Sequence, residues 1–532
     1  MRASRWRVPR TTLLVLIAAA VFVPTIVQRE LTPPDEPRFA LIARTMFETG
    51  NWIELQKFSR PYLDKPPLLF WLQGMSFHLS GGPSEWAARL PPLFATLMLA
   101  GLLFREARRW LGETIATHAV LIWLASPLVV ARGAWVATDP LLALFVFASL
   151  AALRRATEGQ AWAGPLAGSM IALGTMTKGP VAILWVVLAC LASAAAKAEW
   201  WSWRPLLRPA ALLSFALIAF PWPIAYVVRN GLQEPLAEAW KQNGTRFIHS
   251  WDNLEPWWYF GPALIGGLLP WSVALLPSAL RSAWREPRAR TWLLLIAFSL
   301  LFFSIPHGKR GVYLLPAFPW LALMMARAWQ EQRRQVRLRQ IAAGAIGAIG
   351  LVAMTTAILA PSAARHFRMP FADSARSWLT PVFAVVAVSL LLTAIGVARG
   401  RRDALAIPAL GLALIGLIAP FTVTPMWNQV QDARRGAMRL SQAIPPGVEV
   451  GFTDTKPDLI AWYGDLDHAV LLGNKRDRYR FLTEGPARAL ILKCVEAKPL
   501  LARVEGGTQL ANERIGRAEM CILLGPSAAP RR

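Results

Sequence analysis

A few ionisable side chains interrupt an otherwise apolar chain, and their types could support group transfer. Asp35, Glu36 and Arg38 lie in LTPPDEPRFALIART, and Asp64 and Lys65 lie in PYLDKPPLLFW. The others are Asp139 in ARGAWVATDP, Lys178 in TMTKGP, and Lys309 and Tyr313 in SIPHGKRGVYLLP. A carboxylate could take the proton of an acceptor hydroxyl, while Lys, Arg and Tyr could neutralise a departing phosphate. We therefore interpret these residues as candidates for transfer from a phosphate-linked donor.

Each candidate also has a structural alternative. Asp35 or Glu36 could cap the helix that follows them. Lys65 could be a lysine that extends to the membrane interface, and Asp139 could pair with Arg132, seven residues earlier. The sequence leaves these alternatives open.

The elements that must position these residues are membrane helices. The chain of 532 residues is 55% hydrophobic and only 17% charged, which is typical of a polytopic membrane protein. A helix needs about 20 apolar residues to cross the hydrocarbon core. About thirteen runs approach that length, at 11–28, 87–104, 113–130, 140–153, 164–177, 180–196, 209–227, 260–279, 291–305, 312–326, 341–360, 380–397 and 404–423. The predicted fold is therefore an α-helical polytopic membrane protein.

The net charge of +25 reflects membrane topology. Arginine clusters such as REARR, LRRATEG and RAWQEQRRQVRLR alternate with acidic, Trp-rich and Pro-rich loops. Because positively charged loops stay in the cytoplasm, the pattern predicts a cytoplasmic N-terminus and a first apolar run that is retained as an anchor. The clusters lie near membrane lipid head groups, and the pattern predicts no nucleic-acid partner.

The chain divides into a predicted transmembrane domain, 1–425, and a C-terminal periplasmic domain, 426–532. The first periplasmic loop, 29–86, contains two amphipathic segments, FALIARTMFETG and LLFWLQGMSFHLSG, that we predict to be interfacial helices. The second periplasmic loop is 228–259. In the C-terminal domain VEVGFTD, AVLLG, ALILKC and MCILLG alternate with helical stretches, which predicts a small α/β fold. Its cysteines, Cys494 and Cys521, could form a disulfide or remain two separate thiols.

All the candidate residues lie in outer loops or at the outer ends of spans. The chain has no Gly-rich phosphate loop, which argues against a nucleotide donor. A transferase on the outer face would need a donor carried by a lipid.

Several motifs resemble the C-type glycosyltransferase superfamily. They are DEPRFALIARTMFETGNWIE, YLDKPPLLFWL, EWAARLPP, GAWVATDP, ALGTMTKGP, RFIHSWDNLEPWWYFGPALIGGLLPW and FFSIPHGKRGVYLLPAFPWLAL, which cover most of residues 30–325. Within the superfamily the chain is most similar to the branch of the bacterial aminoarabinose lipid A transferases. The protein O-mannosyltransferases are more distant relatives.

The resemblance implies transfer of a sugar from a polyprenyl-phosphate donor to an acceptor on the periplasmic side of the bacterial inner membrane. Matched by motif, Asp35 is the catalytic base or acceptor-orienting carboxylate and Asp139 the second acidic position. The residues implied to hold the donor phosphate are Arg38, Lys65, Lys309 and Tyr313, with Glu36, Asp64 and Lys178 as secondary candidates.

Two positions depart from the aminoarabinose branch. Asp64 stands where that branch has Glu, and Asn253 stands where it has His, with His249 four residues earlier. A metal site that the resemblance implies at those positions would lack both of its usual ligands. The sequence therefore predicts no required cofactor and leaves dependence on a divalent metal open.

The expected function is that of an integral membrane glycosyltransferase, a hexosyl- or pentosyltransferase, whose acceptor is lipid A or another glycolipid. Two alternatives remain. The acceptor could be a protein hydroxyl, as in O-mannosylation, or the chain could be a lipid-linked sugar transporter or flippase without transferase activity.

Overall fold

The structure is a computed structural model that describes residues 9–250, 252–366, 375–453, 457–466, 468–484, 486–515 and 518–526. The basic stretch 1–8, which we predict to be cytoplasmic, lies outside the described residues. The described chain forms two compact units. The first, here called the helical unit, comprises Met1–Val27, Leu63–Leu69 and Arg89–Thr422. The second, the mixed unit, comprises Gln28–Tyr62, Phe70–Ala88 and Val423–Arg532 and so includes most of the first predicted loop.

The protein is a multi-pass helical membrane protein. Within the described residues, seven helices are long and apolar enough to cross a membrane, and a bent pair raises the number to eight. The seven are Glu85–Leu111, Asp139–Thr157, Pro287–Ser304, Gly311–Gln332, Val336–Ala360, Leu379–Ala398 and Arg402–Phe421. Three shorter apolar helices are Arg10–Ile26, Glu113–Leu124 and Val181–Ala195. The larger count of thirteen spans stays a prediction.

Three predicted spans are interrupted, in each case at a proline. The run 113–130 ends its first helix at Leu124 and resumes at Pro127–Arg132. The run 209–227 is the pair Pro209–Ala219 and Pro221–Asn230, bent by 43°. The run 260–279 is three short helices, Phe260–Gly267, Trp271–Ala274 and Leu276–Arg285. These three spans stay predictions, and their helices are discontinuous beside prolines, which lack the N–H that the preceding turn needs.

Shorter elements of the helical unit connect the spans, among them the α-helices Ala163–Lys178, Gln233–Trp240 and Arg246–Ile248. The α-helices of the last four spans have the bounds Phe318–Gln332, Val336–His366, Ala375–Ala398 and Ala406–Ile418. Four 3₁₀ segments, Arg204–Leu207, Gly311–Ala317, Arg402–Leu405 and Ala419–Phe421, and one π-helical segment, Lys241–Thr245, join them. The helix Arg10–Ile26 approaches Ala406–Ile418 at Gly416, where a Cβ atom would collide with the Ala20 carbonyl. Glycine therefore permits the close approach of these two helices.

The mixed unit combines the first loop with an α/β fold. Both amphipathic segments of the loop are helices, as predicted, with bounds Asp35–Thr49 and Leu68–Ser80. A short antiparallel pair, β1 (Gln56–Lys57) and β2 (Arg60–Pro61), lies between them. The remaining helices are Val423–Gln431, Ala433–Ala443, Pro457–Gly464, Lys475–Thr483 and Cys494–Leu501.

A five-stranded mixed sheet forms the centre of this unit. Its strands are β3 (Glu449–Phe452), β4 (Val470–Leu471), β5 (Arg488–Lys493), β6 (Thr508–Ile515) and β7 (Ala518–Leu524), in the order β4-β3-β5-β7-β6. Strand β3 pairs in parallel with β4 and β5, whereas β7 is antiparallel to β5 and β6. Residues 489–492 are all buried because the central strand β5 is covered on both faces. Four of these strands match the predicted ones, and the polar, largely exposed edge strand β6 was missed.

The loop and the C-terminal residues of the mixed unit are joined by hydrogen bonds. The backbone amides of Ala433 and Arg434, at the start of a helix, donate to the buried Glu30 carboxylate at 3.1 and 3.3 Å. The Leu31 amide donates to the Tyr463 hydroxyl at 2.8 Å. The Glu30 carboxyl thus accepts two of the backbone amides that the start of a helix leaves without an intrahelical partner.

The two cysteines of the C-terminal region, Cys494 and Cys521, form a disulfide. It links the start of the helix Cys494–Leu501 to β7 across 27 residues. Disulfides persist in oxidising compartments and are rare in the cytoplasm.

Candidate functional site

The helical unit encloses a cavity of about 750 Å³, which is within the usual range for ligand sites. Four charged side chains line it: Asp64, Lys65, Lys178 and Arg246. The remaining lining is uncharged and includes Trp185, Trp222, Phe247, Phe302, Phe303 and the Tyr313 ring. The lining therefore has three positive charges and one negative charge in an otherwise largely apolar wall. Such a lining can bind an anionic group that is attached to a hydrophobic chain.

Lys178 is held in this cavity by an ion pair and a ring contact. Its Nζ lies 2.5 Å from Oδ1 of Asp139 and 4.8 Å from the centre of the Tyr313 ring. Asp139 begins the helix Asp139–Thr157 and Lys178 ends the helix Ala163–Lys178. Each charge therefore lies at the helix end whose dipole favours it. The alternative in which Asp139 pairs with Arg132 is wrong, because the Arg132 guanidinium lies over the Trp135 ring at 4.8 Å.

Lys65 and Asp64 enter the cavity from the segment before the helix Leu68–Ser80. The Nζ of Lys65 donates to the Asp64 backbone carbonyl at 2.8 Å. The Asp64 carboxyl shares a hydrogen bond with Glu238 of the second loop. Burial raises the pKa of Glu238, but hydrogen bonds with Gln242, Lys241 and Asp64 outweigh burial, so the net pKa is lowered. Asp64 is therefore tied to the second loop.

Arg246 is a cavity cation that the sequence did not single out. It follows the π-helical segment Lys241–Thr245, and its Nη2 donates to both oxygens of Asp252 at 2.8 and 2.9 Å. Such a two-pronged pair fixes the guanidinium in one plane. The signal in the sequence was a basic residue beside an aromatic one, in RFIHSWDNLEPWW.

Lys309 occupies a different position from the other predicted phosphate ligands. It is 2% exposed, and its Nζ donates to the Glu255 backbone carbonyl at 2.9 Å. Its own amide donates to the Asn253 carbonyl, also at 2.9 Å. Burial lowers the pKa of Lys309, and the nearby charge of Glu255 opposes that shift. The described cavity lining includes the neighbouring Gly308 rather than Lys309, so direct contact of Lys309 with a phosphate stays a prediction.

Asp35, Glu36 and Arg38 lie in the mixed unit. The helix begins at Asp35, which is 4% exposed, and Oδ1 of Asp35 accepts from Nη2 of Arg38 at 2.7 Å. Glu36 is fully buried and accepts from the Thr32 amide at 2.9 Å and from Arg29 at 3.0 Å. Glu36 therefore holds the turn before the helix, whereas Asp35 is paired with a more exposed side chain.

The described residues do not assemble a protein metal site. No group of three His, Cys, Asp or Glu side chains within the described ranges could hold a metal ion. The Asp64 carboxyl is bonded to Glu238, and the Asn253 carbonyl accepts from Lys309.

Comparison with known proteins gives matches in sequence and in fold. Residues 64–223 match the family of dolichyl-phosphate-mannose-protein mannosyltransferases. The chain is 34% identical to the undecaprenyl phosphate-alpha-4-amino-4-deoxy-L-arabinose arabinosyl transferase of an Enterobacter species, over 56% of this chain and 55% of that protein. It thus spans little more than half the length of that relative.

A longer match comes from the transferase of the same name from Serratia proteamaculans, which is 30% identical over 77% of this chain and 76% of that protein. The crystal structure of ArnT from Cupriavidus metallidurans bound to undecaprenyl phosphate has the same fold, with a TM-score of 0.81 and 22% identity over 98% of this chain and 99% of that one. The resemblance predicted from the motifs is confirmed, and the chain belongs to the family of undecaprenyl phosphate-aminoarabinose arabinosyl transferases.

Proposed function

We propose that the protein is a glycosyltransferase of the bacterial inner membrane that moves 4-amino-4-deoxy-L-arabinose from undecaprenyl phosphate to lipid A. The observation that carries this proposal is the cavity of the helical unit. It offers Lys65, Lys178 and Arg246 to a phosphate and an aromatic, aliphatic wall to the hydrocarbon beside it. A polyprenyl phosphate has both a phosphate and a hydrocarbon chain and therefore fits this lining.

In the proposed reaction an acceptor oxygen attacks the anomeric carbon of the sugar with inversion. The bond between that carbon and the phosphate oxygen breaks, and undecaprenyl phosphate leaves with the electron pair. Lys65 and Lys178 stabilise the negative charge on the leaving phosphate, together with the Tyr313 hydroxyl. Asp139 is a positioning residue, because it holds Lys178.

Asp35 takes the proton from the acceptor oxygen in this proposal. The assignment rests on its motif and on its setting, a buried carboxylate paired with Arg38 at 2.7 Å. Arg38 would hold the carboxylate in place and support the donor phosphate, as the resemblance implies.

The proposed topology has thirteen spans, a cytoplasmic N-terminus and a periplasmic C-terminal domain. In this topology the shorter apolar helices also cross the membrane, although they are too short to count as spans by length alone. The alternation of arginine clusters supports the orientation. The disulfide between Cys494 and Cys521 supports an oxidising compartment for the C-terminal domain.

A protein acceptor is the second candidate, favoured by the match of residues 64–223 to the protein mannosyltransferases. The full-length protein, purified and given undecaprenyl-phosphate-linked aminoarabinose with either lipid A or a peptide mixture, separates the two candidates. Mass spectrometry should show sugar on lipid A and an equal amount of released undecaprenyl phosphate. Sugar on peptides alone would establish the second candidate. Movement of donor across a vesicle bilayer without release of undecaprenyl phosphate would establish a flippase and overturn both.

A further inference from the structure

Three arginines at helix ends of the helical unit gather around one tryptophan. The Cζ of Arg154 lies 4.5 Å and the Cζ of Arg288 5.9 Å from the ring of Trp200, which is 3% exposed. Arg109 joins them through Glu158, which accepts from Arg109 and, at 3.0 Å, from Arg154. We call Arg109, Arg154 and Arg288 the arginine cluster.

The charge of the arginine cluster is not balanced within the described residues. Glu158 is shared by two of the arginines, and Arg154 also interacts electrostatically with both of the others. Arg288 is exposed, and among the described residues it makes its contact with Trp200 but no ion pair. Three like charges around one carboxylate repel one another, so an additional anion would stabilise the arrangement.

The surroundings of the arginine cluster are those of a membrane interface. Trp200 packs edge-on against Trp110 and Trp292 at 5.6 and 5.7 Å. Two further tryptophans in the adjoining segments, Trp162 and Trp203, are 53% and 60% exposed. Exposed tryptophans beside arginines, at the ends of membrane helices, are typical of the level of the lipid head groups.

We propose that the arginine cluster binds the phosphodiester head group of an anionic phospholipid of the surrounding bilayer. Guanidinium groups bind phosphate oxygens through paired hydrogen bonds, and Arg is preferred to Lys where a planar group must do so. The Trp200 ring orients two of the three guanidiniums. In other proteins, basic pockets between membrane helices on the cytoplasmic side bind such lipids. The arginine cluster lies on the side that we predict to be cytoplasmic. None of the three arginines lines the transferase cavity.

Native mass spectrometry of the full-length protein in detergent tests this site. The protein is titrated separately with phosphatidylglycerol, phosphatidylethanolamine and inorganic phosphate, and the same lipids are added during thermal unfolding. We expect retention of phosphatidylglycerol with a rise in Tm that increases with lipid concentration. Equal retention of the zwitterionic lipid would overturn the proposal. Inorganic phosphate that competes fully with the lipid would show a simple anion site and would also overturn it.

The variant Arg288→Gln is the sharpest probe, because within the described ranges Arg288 takes part in no ion pair that its removal would break. Each arginine near an anionic head group contributes about 1 kcal/mol, so Arg288→Gln should weaken phosphatidylglycerol binding about fivefold. The double variant with Arg109→Gln should weaken it about 25-fold if the two act independently. Arg281→Gln removes an exposed arginine from a neighbouring helix and should bind as the parent does. Unchanged affinity in Arg288→Gln, or an equal loss in Arg281→Gln, would disprove a specific site.

Discussion

The two units hold their charged residues in different ways. In the helical unit Lys178 meets Asp139 across 39 residues, at the ends of two separate helices. In the mixed unit Arg38 meets Asp35 one turn away on the same helix. The first pair exists only when the helices are packed, whereas the second needs only one turn of helix. The charged lining of the cavity therefore depends on how the spans pack, whereas the position of the Asp35 carboxylate depends on one turn of its own helix.

Replacing Asp35 of the mixed unit should have the largest effect on activity. Asp35→Asn keeps the shape of the side chain but removes its ability to take a proton, so kcat should fall about 1,000-fold. Sugar transfer to lipid A by the purified variant measures the change.

Glu48→Gln is the matched control, because it alters a more exposed carboxylate at the other end of the same helix. It should retain activity. An Asp35→Asn enzyme with normal turnover would show that Asp35 is not the base.

The disulfide offers a way to weaken the mixed unit alone. Cys494→Ala with Cys521→Ala opens a loop of 27 residues, which should lower the unfolding free energy of the mixed unit by about 3.5 kcal/mol. Limited proteolysis and thermal unfolding should show earlier loss of the C-terminal region, while the helical unit unfolds as before. Cys190→Ala, which removes the free thiol, is the control. If both units unfolded earlier in the double variant, the prediction that only the mixed unit is weakened would be wrong.

The cavity of the helical unit is tested by Lys178→Ala. Loss of a charge aimed at the leaving phosphate should lower kcat/KM for the donor about 100-fold, and Lys178→Arg should recover part of it. Lys498→Ala removes an exposed lysine of the C-terminal domain and should leave the kinetics unchanged. A Lys178→Ala protein that loses activity only in proportion to its lost folded fraction in thermal unfolding would indicate a structural role for Lys178.

Much of this arrangement follows from the sequence, but the pairing of distant residues does not. Apolar runs predict spans, and the motif containing Asp35 predicts where its helix begins. The sequence offered only Arg132 as a partner of Asp139, because Lys178 is 39 residues away and comes close only when the helices pack. Arg246 was missed because an arginine in a polar loop has no periodicity to mark it, and its role depends on the turn that brings Asp252 to it.

The proline-broken spans and the edge strand β6 show the same limit. Hydropathy averages over a window, so it does not register a single proline that ends a helix. Strand β6 is polar and mostly exposed because it lies at the edge of the sheet, where alternation between core and solvent is weak.

The smallest expected effect concerns Glu30, which joins the first loop to the helix Ala433–Ala443. Burial raises the pKa of Glu30, as does the nearby Asp432, while hydrogen bonds from the Ala433 and Arg434 amides and the charge of Arg434 oppose the shift. The folded protein therefore holds this proton more tightly than the unfolded chain does. The resulting stability is fully present below the ordinary Glu pKa of about 4.5 and is lost as pH rises through the higher folded pKa.

Thermal unfolding of the parent and of Glu30→Gln between pH 4 and 8 measures this contribution. The Tm of the parent relative to Glu30→Gln should fall by no more than a few degrees as the pH rises from about 4 to neutral. Glu505→Gln, at an exposed position of the same unit, should follow the parent at every pH. A parent that gains stability over Glu30→Gln with rising pH would mean that the amides at the helix start outweigh burial. Folding would then favour the charged form of Glu30, and its contact with the start of the helix Ala433–Ala443 would be mainly electrostatic.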